Sequence, residues 1–99
     1  MKADIKRIEK MEAYLDECHE LNAQLALILE KLDENRNDMI RLFDYYGSKR
    51  WFADREAEIP KDVKAGVLSE DLVYDEISTL RDNAFHMLES ATDILKNRI

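Results

Sequence analysis

The strongest constraint in this sequence is a line of apolar residues that recurs every three or four positions through its first half. It runs Ile8, Met11, Leu15 and Cys18, then Leu25, Leu29 and Leu32, then Met39, Phe43 and Tyr46. Written as heptads these are a and d positions, and Tyr14, Leu21, Ile28 and Leu42 at g widen the stripe. A helix gathers residues so spaced onto one side, and neither glycine nor proline occurs before Gly47 to break it. The spacing predicts one helix over about residues 2–46, buried along its stripe, with Cys18 among the buried residues. The weakest stretch is "DENRND", Asp33 to Asp38, where short polar side chains compete for backbone hydrogen bonds and a kink or break has a physical cause. Asn22 and Arg36 fall at a positions. Either they fix register and partner number in a helical seam, or they lie at the edges of a wide stripe.

A second line begins after residue 68: Val73, Ile77, Leu80, Ala84, Met87, Ala91 and Ile94, with Leu88 and Leu95 beside it. "VLSEDLVYDEI" carries the start signals of this helix. Ser69 is the candidate N-cap, Glu70 and Asp71 suit the positive end of the helix dipole, and Leu68 and Val73 have the spacing of a hydrophobic staple. The expected helix covers about residues 69–98. Between the two, Gly47 suits the left-handed residue that ends helices, and Ser48 caps a short helix of about residues 48–58 that Pro60 terminates.

These elements read as a single all-α domain over residues 1–99: a long antiparallel helical hairpin, coiled-coil-like, with a short helical connection. The two long helices differ in length, and the excess falls at the N-terminus. Ile5, Ile8, Met11 and Leu15 then lack a partner within the chain, and apolar faces of that size are seldom left in water. Either the first helix folds back near Asp33–Asp38 into a three-helix bundle, or a second copy covers them; a homodimer that completes a bundle is the expected solution.

Composition narrows the function. The net charge is -7, with 15 lysines and arginines against 22 acidic residues, and no segment is basic. Nucleic-acid binders cluster cations against phosphates, and anionic membranes attract them too, so neither partner is expected. One cysteine excludes an internal disulfide and favours a reducing compartment. The opening "MKADIKRIEKMEAYL" lacks the apolar core of a signal peptide, and the longest apolar run, "LALIL", is far too short to cross a bilayer. The expectation is a soluble cytoplasmic protein.

Five of the eight aromatics lie between Phe43 and Phe52, together with the only tryptophan. This corner, with Tyr74 from the last helix, is the candidate interaction surface: Tyr45, Tyr46, Arg50, Trp51, Phe52, Asp54, Arg55 and Tyr74. Tryptophan, tyrosine and arginine are the usual anchors of interfaces, and Lys49, Arg50 and Arg55 add anion contacts. The competing reading is a hydrophobic plug where the chain reverses, with Trp51 packed inward and Asp54 as partner to its indole N–H or to a nearby arginine.

The strings "YYGSKRWFAD" and "IPKDVKAGVLSEDLVYDEI", preceded by a long charged helix, resemble a family of short bacterial proteins classed as a domain of unknown function. The likeness is strongest from Tyr45 to Ile77, at Tyr45, Tyr46, Ser48, Trp51, Asp54, Pro60, Gly66, Ser69 and Tyr74 among others. It implies a small helical cytoplasmic protein of bacteria and brings no catalytic residue with it.

The other chemistry-bearing residues give weaker signals. Glu9-x-x-Glu12 and Glu30-x-x-Asp33 formally resemble the magnesium-holding pairs of all-helical nucleotide pyrophosphohydrolases. Both pairs lie on one helix, however, with Glu12 and Glu30 about 27 Å apart. His19 and His86 lack the further ligands of a di-iron bundle, and Cys18 has the acidic neighbours Asp16, Glu17 and Glu20 rather than an electropositive setting. No catalytic, metal or cofactor residue is assigned. Three classes remain in order: a non-enzymatic protein-interaction or scaffold module, a small-ligand or anion binder using the aromatic corner, and a metal-dependent nucleotide hydrolase.

Overall fold

The computed structural model describes residues 1–97. It is all-α, with no strand among the described residues: α1 (Ile5–Tyr45), α2 (Lys49–Glu56), a 3-10 turn (Gly66–Leu68) and α3 (Leu72–Lys96). The end of the helix expected to reach residue 98 lies outside the described residues.

α1 starts at Ile5 because Asp4 caps it. The Arg7 backbone N–H donates to Asp4 Oδ1 at 3.1 Å, satisfying one of the free donors at a helix start. The helix then continues unbroken through Asp33–Asp38. The polar side chains there find partners on the helix itself instead of competing with its ladder. Asn35 donates to the Lys31 carbonyl at 2.8 Å, and Arg36 forms a salt bridge with Asp33 at 2.7 Å, one turn away.

Gly47 takes the left-handed conformation, φ +77°, and the chain leaves α1 there. A Cβ at Gly47 would meet nothing within 4 Å, so the requirement for glycine is one of backbone conformation alone. Gly47→Ala is expected to cost about 1 kcal/mol, the penalty of holding an L-residue in that region. Urea unfolding read by tryptophan fluorescence would measure it, and a neutral result would mean the corner relaxes to another turn. Ser48 then caps α2, its hydroxyl accepting the Trp51 backbone N–H at 3.2 Å.

Two boundaries differ from the sequence expectation. α2 stops at Glu56, before proline requires it, because Ala57 is already extended. Pro60 instead opens the next turn, its carbonyl accepting from Val63 N–H at 3.0 Å. α3 begins at Leu72, not at Ser69. The 3-10 turn leaves Ser69 extended as its own C-cap, and the Ser69 hydroxyl accepts from Asp71 N–H at 3.3 Å, ahead of the helix. Asp71 stands at the N-cap without a side-chain capping bond.

The chain divides into two compact units, residues 1–39 and residues 40 onward. From Ile5 on, the first is helix alone. The second holds the core, in which α2 and α3 each pack on the 3-10 turn. Its buried apolar residues are Trp51, 3% exposed, and Val73, 5% exposed, with Ile77 and Leu80 half-buried beside them on α3. The burial expected along the long stripes is absent. α1 contains no buried residue, α3 only Val73, and every described residue from Arg81 onward is exposed. Cys18, expected inside, is an exposed free thiol. Periodicity determines which side of a helix is apolar; it does not supply the surface that covers it.

Candidate functional site

The aromatic corner is built by the turn at Gly47. The turn ends α1 with Tyr45 and Tyr46 at its edge and starts α2 with Trp51 on its inner face. Trp51 is the centre. Its indole Nε1–H donates to the Val67 carbonyl at 2.9 Å, tying α2 to the 3-10 turn. Tyr46 meets the indole edge-on at 5.0 Å between centroids, and Phe52 does so at 4.9 Å. The Arg55 guanidinium lies over the indole, 4.7 Å from its centroid, a cation–π contact at the exposed rim.

The tyrosine hydroxyls point to internal partners. Tyr46 donates to the Glu70 carbonyl at 2.6 Å, closing the corner against the segment that precedes α3. Tyr45 donates to the Asp54 carboxylate at 2.5 Å. Asp54 is therefore the partner of Tyr45 and not of the Trp51 indole, whose donor is taken by a backbone carbonyl.

That hydrogen bond raises the Tyr45 phenol above its ordinary value, because the carboxylate accepts a proton that ionisation would remove. Desolvation and the Asp54 charge push the same way, and Arg50 opposes them. A phenol raised on folding contributes stability that is full below the unfolded value near 10 and is lost as pH rises through the folded value. Tyr45→Phe is therefore expected to melt lower than wild type at neutral pH. The difference in Tm should shrink in the alkaline range above about pH 10; a constant difference across that range would show that the hydroxyl is not coupled to folding.

The structure brings together Tyr45, Tyr46, Trp51, Phe52, Asp54 and Arg55. Arg50 is exposed at the rim. Tyr74 is exposed on α3, where it lines a shallow depression with Ile77, Ser78, Arg81 and Asp82. Ile5, Ile8, Met11 and Leu15 are all exposed on α1. The corner's inner hydrogen-bonding groups are thus matched within the chain, and the side offered to solvent is Phe52, Arg50 and Arg55.

Sequence reasoning missed the carbonyls of Val67 and Glu70, for which no side-chain signal exists. Val73, read as the first residue of the second apolar line and as half of a staple, is the second buried residue of the core. Among the described residues no group of three or more His, Cys, Asp or Glu is placed to hold a metal ion. None of the described helices is long and apolar enough to cross a membrane. Glu9, Glu12, Glu30 and Asp33 share the unbroken α1, and His19 and His86 are exposed.

These features define an all-helical domain in which one tryptophan-centred corner organises the only buried residues described. The chain belongs to the family described as a domain of unknown function, DUF4298, whose model matches residues 8–90. The match takes in most of α1, the whole corner and most of α3. No curated protein matches the chain.

Proposed function

We propose that this protein is a non-enzymatic protein–protein interaction or scaffold module of the bacterial cytoplasm that self-associates as a homodimer. One observation carries the reading. The large apolar residues of α1 from Ile5 to Leu29 are between 43% and 60% exposed in the single chain. Covering the remaining half of a leucine, isoleucine or methionine is worth about 1 kcal/mol. Contributed by two copies, the stripe offers roughly 15–20 kcal/mol, against a cost of association of about 4–15 kcal/mol. A helix with so little support in its own chain also gains its order from a partner, because isolated helices are marginal in water.

The single cysteine and the acidic charge support a reducing, nucleic-acid-free and membrane-free setting. A ligand-binding corner is the weaker reading, since Tyr45, Tyr46 and Trp51 spend their donors on Asp54, Glu70 and Val67. Light scattering or sedimentation at micromolar concentration is expected to give twice the chain mass; a monomer would count against the homodimer. Calorimetry with Mg²⁺ and nucleoside triphosphates is expected to give no heat of binding, and a stoichiometric isotherm would overturn the non-enzymatic reading.

A further inference from the structure

The charge pattern beside the α1 stripe says how a second copy sits on it. The apolar positions a, d and g centre on d, so the rows that flank any partner helix are c on one side and e on the other. The c row reads Lys10, Glu17, Gln24, Lys31 and Asp38, and all five belong to one continuous helix. About Gln24 this row is complementary to its own reverse: Lys10 mirrors Asp38, and Glu17 mirrors Lys31. We infer that two copies pair through α1 in antiparallel orientation, with the two-fold axis beside Gln24. The inference rests on the homodimer proposed above and names its geometry.

In that pairing c meets c across the seam, so Glu17 of each copy faces Lys31 of the other, Lys10 faces Asp38, and the two Gln24 amides meet at the axis. The core register follows. Ile8 comes opposite Met39 of the second copy, Leu15 opposite Leu32, and Leu21 opposite Ile28. Leu25, Ile28 and Leu29 then lie close to the axis, where coverage is most complete. Arg36 is set against Met11 and within reach of Glu12 of the second copy, while keeping Asp33 on its own helix at 2.7 Å.

A parallel, in-register pair uses the same stripe less well. It brings the c row against the e row, which pairs Lys10 with Glu12 and Lys31 with Asp33 but sets Glu17 against His19 and Asp38 against Ile40, and it stacks Arg36 on Arg36. It also sets Asn22 against Asn22. The Asn22 amide does not need that partner, since it already donates to Cys18 Sγ at 3.7 Å in its own helix.

The two orientations separate by disulfide trapping. In the antiparallel pair the two Cys18 residues sit about 18 Å apart along the axis, far beyond the roughly 7 Å limit between Cα atoms that a disulfide spans. In the parallel pair they face each other. Copper–phenanthroline oxidation of the wild-type protein is therefore expected to give no covalent dimer. The Cys18→Ser, Leu21→Cys, Ile28→Cys variant is expected to crosslink readily between chains, since residues 21 and 28 of one helix are about 10 Å apart and form no bond within it. Efficient crosslinking through Cys18 in wild type would overturn the antiparallel geometry, as would an uncrosslinked triple variant that light scattering shows to be dimeric.

A charge swap tests the register without touching the apolar seam. Glu17→Lys alone is expected to raise the dimer Kd about tenfold, and adding Lys31→Glu to restore it. Independent effects of the two changes would remove the register proposed here. A wild-type monomer in scattering would instead remove the homodimer itself, which none of these variants can mimic.

Discussion

Trp51→Ala should lower the unfolding free energy by about 3–5 kcal/mol, the usual cost of deleting a buried large aromatic. Several interactions go together. The indole is 3% exposed, so its removal opens a cavity between α2 and the 3-10 turn. The Val67 carbonyl loses its donor, and Tyr46 and Phe52 lose their ring contacts. Trp51→Phe separates these contributions, because it keeps most of the apolar volume but strands the carbonyl. It is expected to cost about 1–2 kcal/mol. Since the variants remove the only tryptophan, unfolding in urea would be followed by far-ultraviolet circular dichroism. A change in Trp51→Ala below about 1 kcal/mol would be too small for a core residue and would return the corner to the status of a binding surface.

The second large effect is expected at Val73. It is 5% exposed at the first turn of α3, the point where that helix meets the 3-10 turn. Val73→Asp buries a carboxylate there, at a cost of about 3–5 kcal/mol. Tryptophan emission is the direct readout, because Trp51 packs on the same turn and is exposed when α3 detaches. Leu88→Asp serves as the contrast. Leu88 is 65% exposed on the same helix and is expected to leave the emission unchanged. Equal effects at Val73 and Leu88 would mean that α3 is held along its length and not only at its start.

Much of the secondary structure is legible in the sequence. The spacing from Ile8 to Tyr46 and the lack of a breaker give α1, Gly47 ends it through its backbone freedom, and Ser48 caps α2 through its hydroxyl. Each of these signals acts within about one turn of helix, so neighbouring residues suffice to decode it. Ser69 shows the limit. Its hydroxyl does accept a backbone N–H, but of Asp71, because the 3-10 turn that packs under Trp51 delays α3 to Leu72. A cap can be recognised locally; the residue it caps depends on where tertiary contacts let the helix begin.

The corner was legible as a place and not as an arrangement. Concentrated aromatics marked Tyr45 to Phe52, and the hydrophobic-plug reading packs Trp51 inward. The partner of its N–H did not follow, since every residue carries a carbonyl and nothing in the side chains distinguishes Val67 as the acceptor. Asp54 was visible as a buried-side partner, but its donor is the Tyr45 hydroxyl nine residues earlier, brought to it by the turn at Gly47.

Sequence by itself determined that this protein is helical, where its long helix ends, and which faces of its helices are apolar, because periodicity, capping and backbone freedom are local properties. Tertiary structure decided which apolar positions are covered. Trp51 and Val73 are buried and the stripe from Ile5 to Leu29 is not, because burial belongs to the pair of surfaces that meet and not to either one.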